Sequence, residues 1–224
     1  MSFMEKGEKI KFWQKAWGVG YQEKLRKQHF IPFLRGLEQE GKIGEIVIDV
    51  GSGSFPMAEY LQKDKKIITI DLFGNETRNE WRQHIRADIE KAKEESSFRF
   101  KKAVMKICSF LNIDPRVEKD RERVDTMIFS EILNYVDCKE VLGAFARFLK
   151  PGGRFIILNE PGRTFESTRS LLSKKGVENN KKLCKLLEAN EFTIEQKEFP
   201  LKYDDKEDEN YEMIMLVARK DQKT

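Results

Sequence analysis

Cysteine is scarce in this chain: Cys108, Cys138 and Cys184 are the only three in 224 residues. None forms a Cys-x-x-Cys pair, which argues against a disulfide scaffold or a zinc site and for a reduced compartment. Histidine is scarcer still. His29 and His84 stand isolated, without the companions that a metal cluster or a nucleophile–base pair needs. No apolar run approaches the roughly 20 residues of a membrane helix. The opening stretch "MSFMEKGEKIKFWQKAW" spreads its charges and lacks an apolar centre, which predicts no secretion signal and a cytoplasmic protein. A dominant charge is missing too. The 42 basic and 38 acidic residues leave +4, dispersed along the chain, whereas a nucleic-acid binder concentrates its basic residues on one face.

What is present reads as a folded α/β protein. Hydrophobic residues make up 39% and aromatics 11%, enough for a core. From Glu45 onward, β-rich runs alternate with helical patterns, as in βαβ units with a parallel sheet. The runs are "EIVIDV" (45–50), "KKIITIDL" (65–72), "HIRA" (84–87), "RVDTMIFS" (123–130) and "RFIILNE" (154–160). Near-continuous apolar character in the first, second and fifth suits strands covered on both faces. Two more, "FTIEQKEFPL" (192–201) and "YEMIMLVARK" (211–220), flank a short acidic loop, too polar for a crossover helix, and so form an antiparallel hairpin. The expected fold is a doubly wound, mostly parallel seven-stranded sheet closed by that hairpin. Helices are expected over "PMAEYLQK", with Pro56 in the first turn, over "FRFKKAVMKICSFLNI", over "CKEVLGAFARFLK" and over "VENNKKLCKLLEANE". Residues 1–43 read as an N-terminal helical cap and residues 44–224 as the main domain, with a helical insertion at about 89–122.

The first strand ends in "DVGSGSFP". Gly51 and Gly53 remove the Cβ wall that would keep a ligand from the backbone N–H groups, and they allow unusual φ. Asp49 precedes them, and Ser52 and Ser54 add small hydroxyls. A plain tight turn would need no more than this. Asp71, however, ends the second strand 18 residues after Gly53. In a doubly wound sheet its carboxylate lies beside the glycine turn, placed to accept both hydroxyls of a ribose; a strand-end acid or helix cap is the plainer alternative. A dinucleotide site wants a third glycine where Pro56 stands, which disfavours NAD.

These segments resemble, in order, the motifs of the class I S-adenosylmethionine-dependent methyltransferases, a Rossmann-like family. "VIDVGSGSFPMAEYL" is similar to the first motif, with Asp49, Gly51, Ser52 and Gly53 around the donor. "IITIDL" resembles the second, with Asp71 on the ribose and Leu72 beside it. "RADIE" resembles the third, with Asp88 meeting the adenine amino group and Ile89 against the ring; Asp114 is the alternative acid. "VDTMIFSEILNYVD" resembles the fourth, whose strand end at Ser130 faces the donor. "RFLKPGGRFIIL" matches the family's helix-Lys-Pro-Gly-Gly-strand segment. The resemblance implies a cytoplasmic enzyme that consumes S-adenosylmethionine and releases S-adenosylhomocysteine, with no metal. Phe55 stands where family members often carry a third glycine, and the stretch from Asp88 to Val124 is longer than usual.

Because a sulfonium makes methyl transfer easy once the acceptor is in line, orientation and desolvation supply much of the rate. Glu131 and Tyr135, just past the fourth strand, are candidates for a base or for positioning groups, or simply begin a surface loop. Trp13, Trp17 and Tyr21 recur at helical spacing. They form either a core-docking face or a lid with Tyr21 near the sulfonium, where an aromatic ring favours positive charge. Arg163, after the fifth strand, is either a partner for an acidic substrate or a surface residue. "SEIL" replaces the Asn/Asp-Pro-Pro-Tyr of enzymes acting on base or amide nitrogens. The expected acceptor is therefore a small molecule, methylated on oxygen or nitrogen in preference to carbon, with no membrane partner; an RNA or protein acceptor, or a non-catalytic binding module of the same fold, is the alternative.

Overall fold

The computed structural model describes residues 26–53, 56–72, 75–89, 98–114, 116, 122–159, 176–177, 179–200 and 213–222. The eight strands are β1 (Ile46–Val50), β2 (Lys66–Asp71), β3 (Thr77–Arg78), β4 (Arg82–Arg86), β5 (Val124–Ser130), β6 (Leu149–Asn159), β7 (Phe192–Glu198) and β8 (Ile214–Lys220). They form one sheet in the order β3-β4-β2-β1-β5-β6-β8-β7. Strands β4, β2, β1, β5 and β6 run parallel, while β8 is antiparallel to both β6 and β7. The seven expected strands are all present, including the closing hairpin. The eighth is the two-residue β3, antiparallel on the outer edge of β4.

Side chains alternate between the two faces of the sheet, and each face has its own core. Ile48, Ile68, Ile70, Ile85, Met127, Phe129, Phe155 and Leu216 point to one side. There they meet apolar residues of α2 (Phe98–Leu111), α3 (Cys138–Ala146) and α4 (Asn180–Glu188), such as Ile107, Phe145 and Leu187. An aromatic chain runs through this layer. Phe129 meets Phe145 and Phe155 edge-on, at 6.0 and 5.1 Å between centroids, and Phe155 stacks on Phe192 at 4.5 Å. Val47, Ile67, Ile128, Ile156, Leu158 and Val217 point the other way, against Phe30, Leu34 and Leu37 of a π turn (Arg26–Phe30) that leads directly into α1 (Ile31–Gln39). Pro32 sits in the first turn of α1, where a missing N–H leaves no bond unmade.

Caps mark where two helices start. Asp137 accepts from the Glu140 N–H at 3.3 Å and Asn179 from the Lys182 N–H at 2.9 Å. The helix expected over "CKEVLGAFARFLK" stops at Ala146, because Leu149 already pairs with Val124 as the start of β6. Further on, the ammonium of Lys220 is buried between Glu122 (2.9 Å), the Ala146 carbonyl (3.0 Å) and the Leu149 carbonyl (2.7 Å), tying β8 to the end of α3 and the start of β6.

One expected helix is corrected. "PMAEYLQK" forms a single 3₁₀ turn, Met57–Tyr60, and Leu61 already turns to extended backbone at φ −80°, ψ 164°. Two forces shorten it. The buried carboxylate of Asp49 binds the Ala58 N–H from below. The chain must then reach β2 at Lys66, five residues after Leu61, which leaves no room for a longer helix.

Candidate active site

The carboxyl ends of β1, β2, β4 and β5 lie side by side, and the candidate residues gather there. Asp49 is fully buried; its Oδ2 accepts from the Ala58 N–H at 2.9 Å. Burial pushes its carboxyl up to about 7, against the opposing pull of the Ala58 and Met57 amides and of the Arg26 charge. Its Oδ1 accepts no hydrogen bond among the described residues. Next in the chain, the Gly51 N–H bonds to the Ile70 carbonyl at 2.8 Å, so the turn folds back on β2. Gly51 has φ +72°, and a Cβ there would sit 2.7 Å from Cγ1 of Ile132. Glycine is required at this position on both counts.

Gly53 differs. Its φ is +59°, but a Cβ would meet nothing within 4 Å among the described residues, which leave its outer side open. Its N–H donates to Oδ2 of Asp71 at 2.8 Å. The turn and the end of β2 are therefore joined through the acid that the sequence singles out. Asp71 and Ser52 are both buried, and the Ser52 hydroxyl has no partner among the described residues.

On the outer side of β2, the Ala87 N–H reaches the Asp71 carbonyl at 2.8 Å, which sets Asp88 and Ile89 level with the end of β2. Asp88 is half-buried and Ile89 buried; Leu72 is half-buried, its carbonyl held by Nε of Arg86 at 3.1 Å. Asp114, the alternative adenine acid, follows α2, and its carboxylate is engaged by Arg116 (2.9 and 3.0 Å), which holds it down at about 2. On the inner side, β5 ends at Ser130 and Glu131. Ser130 is buried, with its hydroxyl unpartnered among the described residues. Glu131 is buried in the left-handed region at φ +56°, its N–H on the Leu158 carbonyl at 2.8 Å. A non-glycine residue is held in that region only where its surroundings over-determine it. Tyr135 is half-buried and closes a turn on the Ile132 carbonyl.

A family model described as Methyltransferase domain matches residues 42–214. The chain belongs to this family. It is accordingly an S-adenosylmethionine-dependent methyltransferase. Solved structures share the fold at low identity. A 1,6-didemethyltoxoflavin-N1-methyltransferase of Burkholderia thailandensis, with 1,6-didemethyltoxoflavin and S-adenosylhomocysteine bound, has a TM-score of 0.56 at 16% identity, over 99% of this chain and 93% of that one. The N-methyltransferase NodS of Bradyrhizobium japonicum WM9, in complex with S-adenosylhomocysteine, gives 0.59 at 11%, over 95% and 98%. A chain from the complex between the Haloferax volcanii Trm112 methyltransferase activator and a methyltransferase gives 0.57 at 14%, over 99% and 100%. No curated protein sequence matches the chain.

The methyltransferase brings Asp49, Gly51, Ser52, Gly53 and Asp71 together through the bonds described, flanked by Ser130 and Glu131 on one side and Asp88 and Ile89 on the other. Tyr21, Trp13, Trp17, Ser54, Phe55 and Arg163 lie outside the described residues. Three residues escape the sequence reading. Asn159 ends β6 and donates through Nδ2 to Oδ1 of Asn134 at 3.1 Å, both being buried. The polar asparagine ending the apolar run "RFIILN" is the signal for that pair. The third is Arg26, half-buried at the head of the π turn; burial lowers its guanidinium from the ordinary value, against the opposing charges of Asp49, Glu131 and Tyr60. No local pattern announces it, because its position depends on where the chain enters α1. Among the described residues, no His/Cys/Asp/Glu group could hold a metal ion, and no helix is long and apolar enough to cross a membrane.

Proposed function

We propose that this methyltransferase moves a methyl group from S-adenosylmethionine to oxygen or nitrogen of a small-molecule acceptor at the carboxyl edge of β1, β2, β4 and β5. The observation that carries the site is the 2.8 Å bond between Gly53 N–H and Asp71, at a glycine whose outer side is open among the described residues. The donor fits this edge in kind. Buried polar atoms with unfilled bonding capacity (Asp49 Oδ1, Ser52 Oγ, Ser130 Oγ) surround a turn that a ligand can approach closely. When bound, the donor supplies an activated methyl on a sulfonium. In this reading Asp71 holds the ribose hydroxyls, Leu72 lies beside them, and Asp88 with Ile89 frames the adenine. Asp49, Gly51, Ser52, Gly53 and Ser130 surround the remainder. Glu131 and Tyr135 orient the acceptor and can take its proton, and the segment carrying Tyr21 excludes water as a lid.

A small acceptor is supported by "SEIL" at the end of β5 and by the dispersed charge. It also agrees with the low-molecular-weight compound named for the Burkholderia enzyme. Calorimetric titration with S-adenosylhomocysteine and separately with NAD tests the donor site: micromolar binding of the first and none of the second is expected. Asp71→Ala should weaken the first by about 1–3 kcal/mol, the worth of charged hydrogen bonds left unmade. Unchanged affinity in that variant removes the ribose assignment. A methyl-transfer screen over small phenols, amines and acids tests the acceptor class; turnover on RNA or protein alone would refute it.

A further inference from the structure

We propose that the groove between α1 and the outer strand β7 binds a small organic amine, its ammonium held by the carboxylates of Glu198 and Glu40 and its apolar body lying on Phe33, Leu37 and Met215.

The groove is separate from the carboxyl edge of β1, β2, β4 and β5. Its lining comes from the π turn, α1, β7 and β8, and in the sheet β6 and β8 stand between β7 and β5. It holds about 370 Å³, the size of a pocket for a small organic molecule. Gly36, in the interior of α1, forms part of the wall. Glycine weakens a helix relative to alanine, yet a Cβ at Gly36 would meet nothing within 4 Å among the described residues, and no positive φ is needed there. Neither crowding nor backbone conformation requires glycine at this place. Its missing methyl widens the groove.

The polar groups form one line from the end of α1 to β7. Glu40 pairs with Lys42 at 2.7 Å, and the Lys42 ammonium also donates to Oε1 of Gln196 at 3.2 Å. Nε2 of Gln196 then donates to Oε1 of Glu198 at 2.6 Å. The positive charge on this line is thus taken up by Glu40 and Gln196. Glu198 meets only a neutral amide, and no cation among the described residues pairs with it. No lysine or arginine lines the groove, and His29 is its other titratable side chain. The carbonyl end of α1, at Gln39, adds the negative pole of the helix. Two carboxylates against one ammonium leave one negative charge beside an apolar surface. That combination complements a monovalent amine with an aromatic or aliphatic body.

The test uses three compounds that share a body and differ in the head: phenethylamine, phenethyl alcohol and phenylpropanoate. Each is titrated at neutral pH into the isotope-labelled full chain while amide chemical shifts are followed. Phenethylamine should move the amides of Gly36, Leu37 and Gln196 and bind at millimolar concentration or tighter. The alcohol should bind about tenfold more weakly, as expected for one charged hydrogen bond lost, and the carboxylate more weakly still. Glu198→Gln should weaken the amine about tenfold and leave the alcohol unchanged, whereas Gly36→Leu should fill the groove and weaken both. S-adenosylhomocysteine affinity should stay at the wild-type value in both variants. Equal binding of the three heads, or preference for the carboxylate, overturns the proposal. So do shifts confined to the amides of Gly51 and Gly53, an amine affinity indifferent to both variants, or no binding by any of the three. If Gly36→Leu does not fold, Glu198→Gln, a change on the exposed outer strand, decides by the same criterion.

Discussion

Asp49→Asn should abolish a pH dependence built into the fold. The Asp49 carboxyl is fully buried and pushed up to about 7 from an ordinary 3.8, chiefly by loss of water. Between those values the folded protein keeps a proton that the unfolded chain has already released. The contribution of Asp49 to stability is therefore fully present below pH 3.8 and is lost as the pH rises through about 7. Each pH unit inside that window is worth about 1.4 kcal/mol, so the whole span costs roughly 4 kcal/mol by pH 8. Asparagine keeps an acceptor for the Ala58 N–H but carries no charge. Its amide N–H groups enter a buried place without partners, at about 1–3 kcal/mol. The variant should thus be less stable than wild type near pH 4, where little of that span has yet been lost, and more stable near pH 8. Urea unfolding of both proteins at half-unit steps from pH 4 to 8 reads this directly, and the two stability curves should cross. Parallel curves would refute the reasoning, because the carboxyl would then titrate alike in the folded and unfolded states.

Gly51→Ala combines a φ of +72° with a Cβ 2.7 Å from the Ile132 side chain, and should destabilise by about 1–3 kcal/mol in thermal melts. In a double-mutant cycle Ile132→Ala should recover part of that loss; strict additivity would assign the whole cost to backbone conformation. Lys220→Met removes the ammonium shared by Glu122, the Ala146 carbonyl and the Leu149 carbonyl. A loss on the order of 2 kcal/mol in denaturant unfolding is expected, because the two carbonyls stay behind while the partly exposed Glu122 can turn to water. A loss near zero would mean that water takes the place of the ammonium.

The strands are legible where burial on both faces writes them as apolar runs. Ile46–Val50 and Lys66–Asp71 fall within a residue of their expected limits, and the closing hairpin follows from the polar character of the loop between its strands. Helices whose caps are local, at Asp137 and Asn179, are legible too. The piece after the glycine turn is not. "PMAEYLQK" has helical residues, but the Asp49 carboxylate holds the Ala58 amide and β2 lies close ahead, so tertiary demands override propensity. The two-residue β3 is invisible because nothing in "TR" marks a strand, and it exists only where β4 offers an open edge. At the candidate site the glycines, Asp49, Asp71 and Ser130 stand out because strand ends and turn chemistry mark them. The Asn134–Asn159 pair joins the ends of segments far apart in the chain, which no local pattern encodes.

The placement of β8 has a consequence for how the molecule is made. β7 is the earlier of the two in the chain, yet β8 lies between it and β6. A nascent chain emerging from the ribosome therefore presents β7 before there is any backbone for it to join. The edge of β6, which includes Phe155 and Ile157, stays bare until the later strand arrives. Assembly must wait for one insertion event that supplies partners to both neighbours at once. Until then the half-made sheet exposes an apolar, unpaired margin that a chaperone would recognise and that another copy could wrongly occupy.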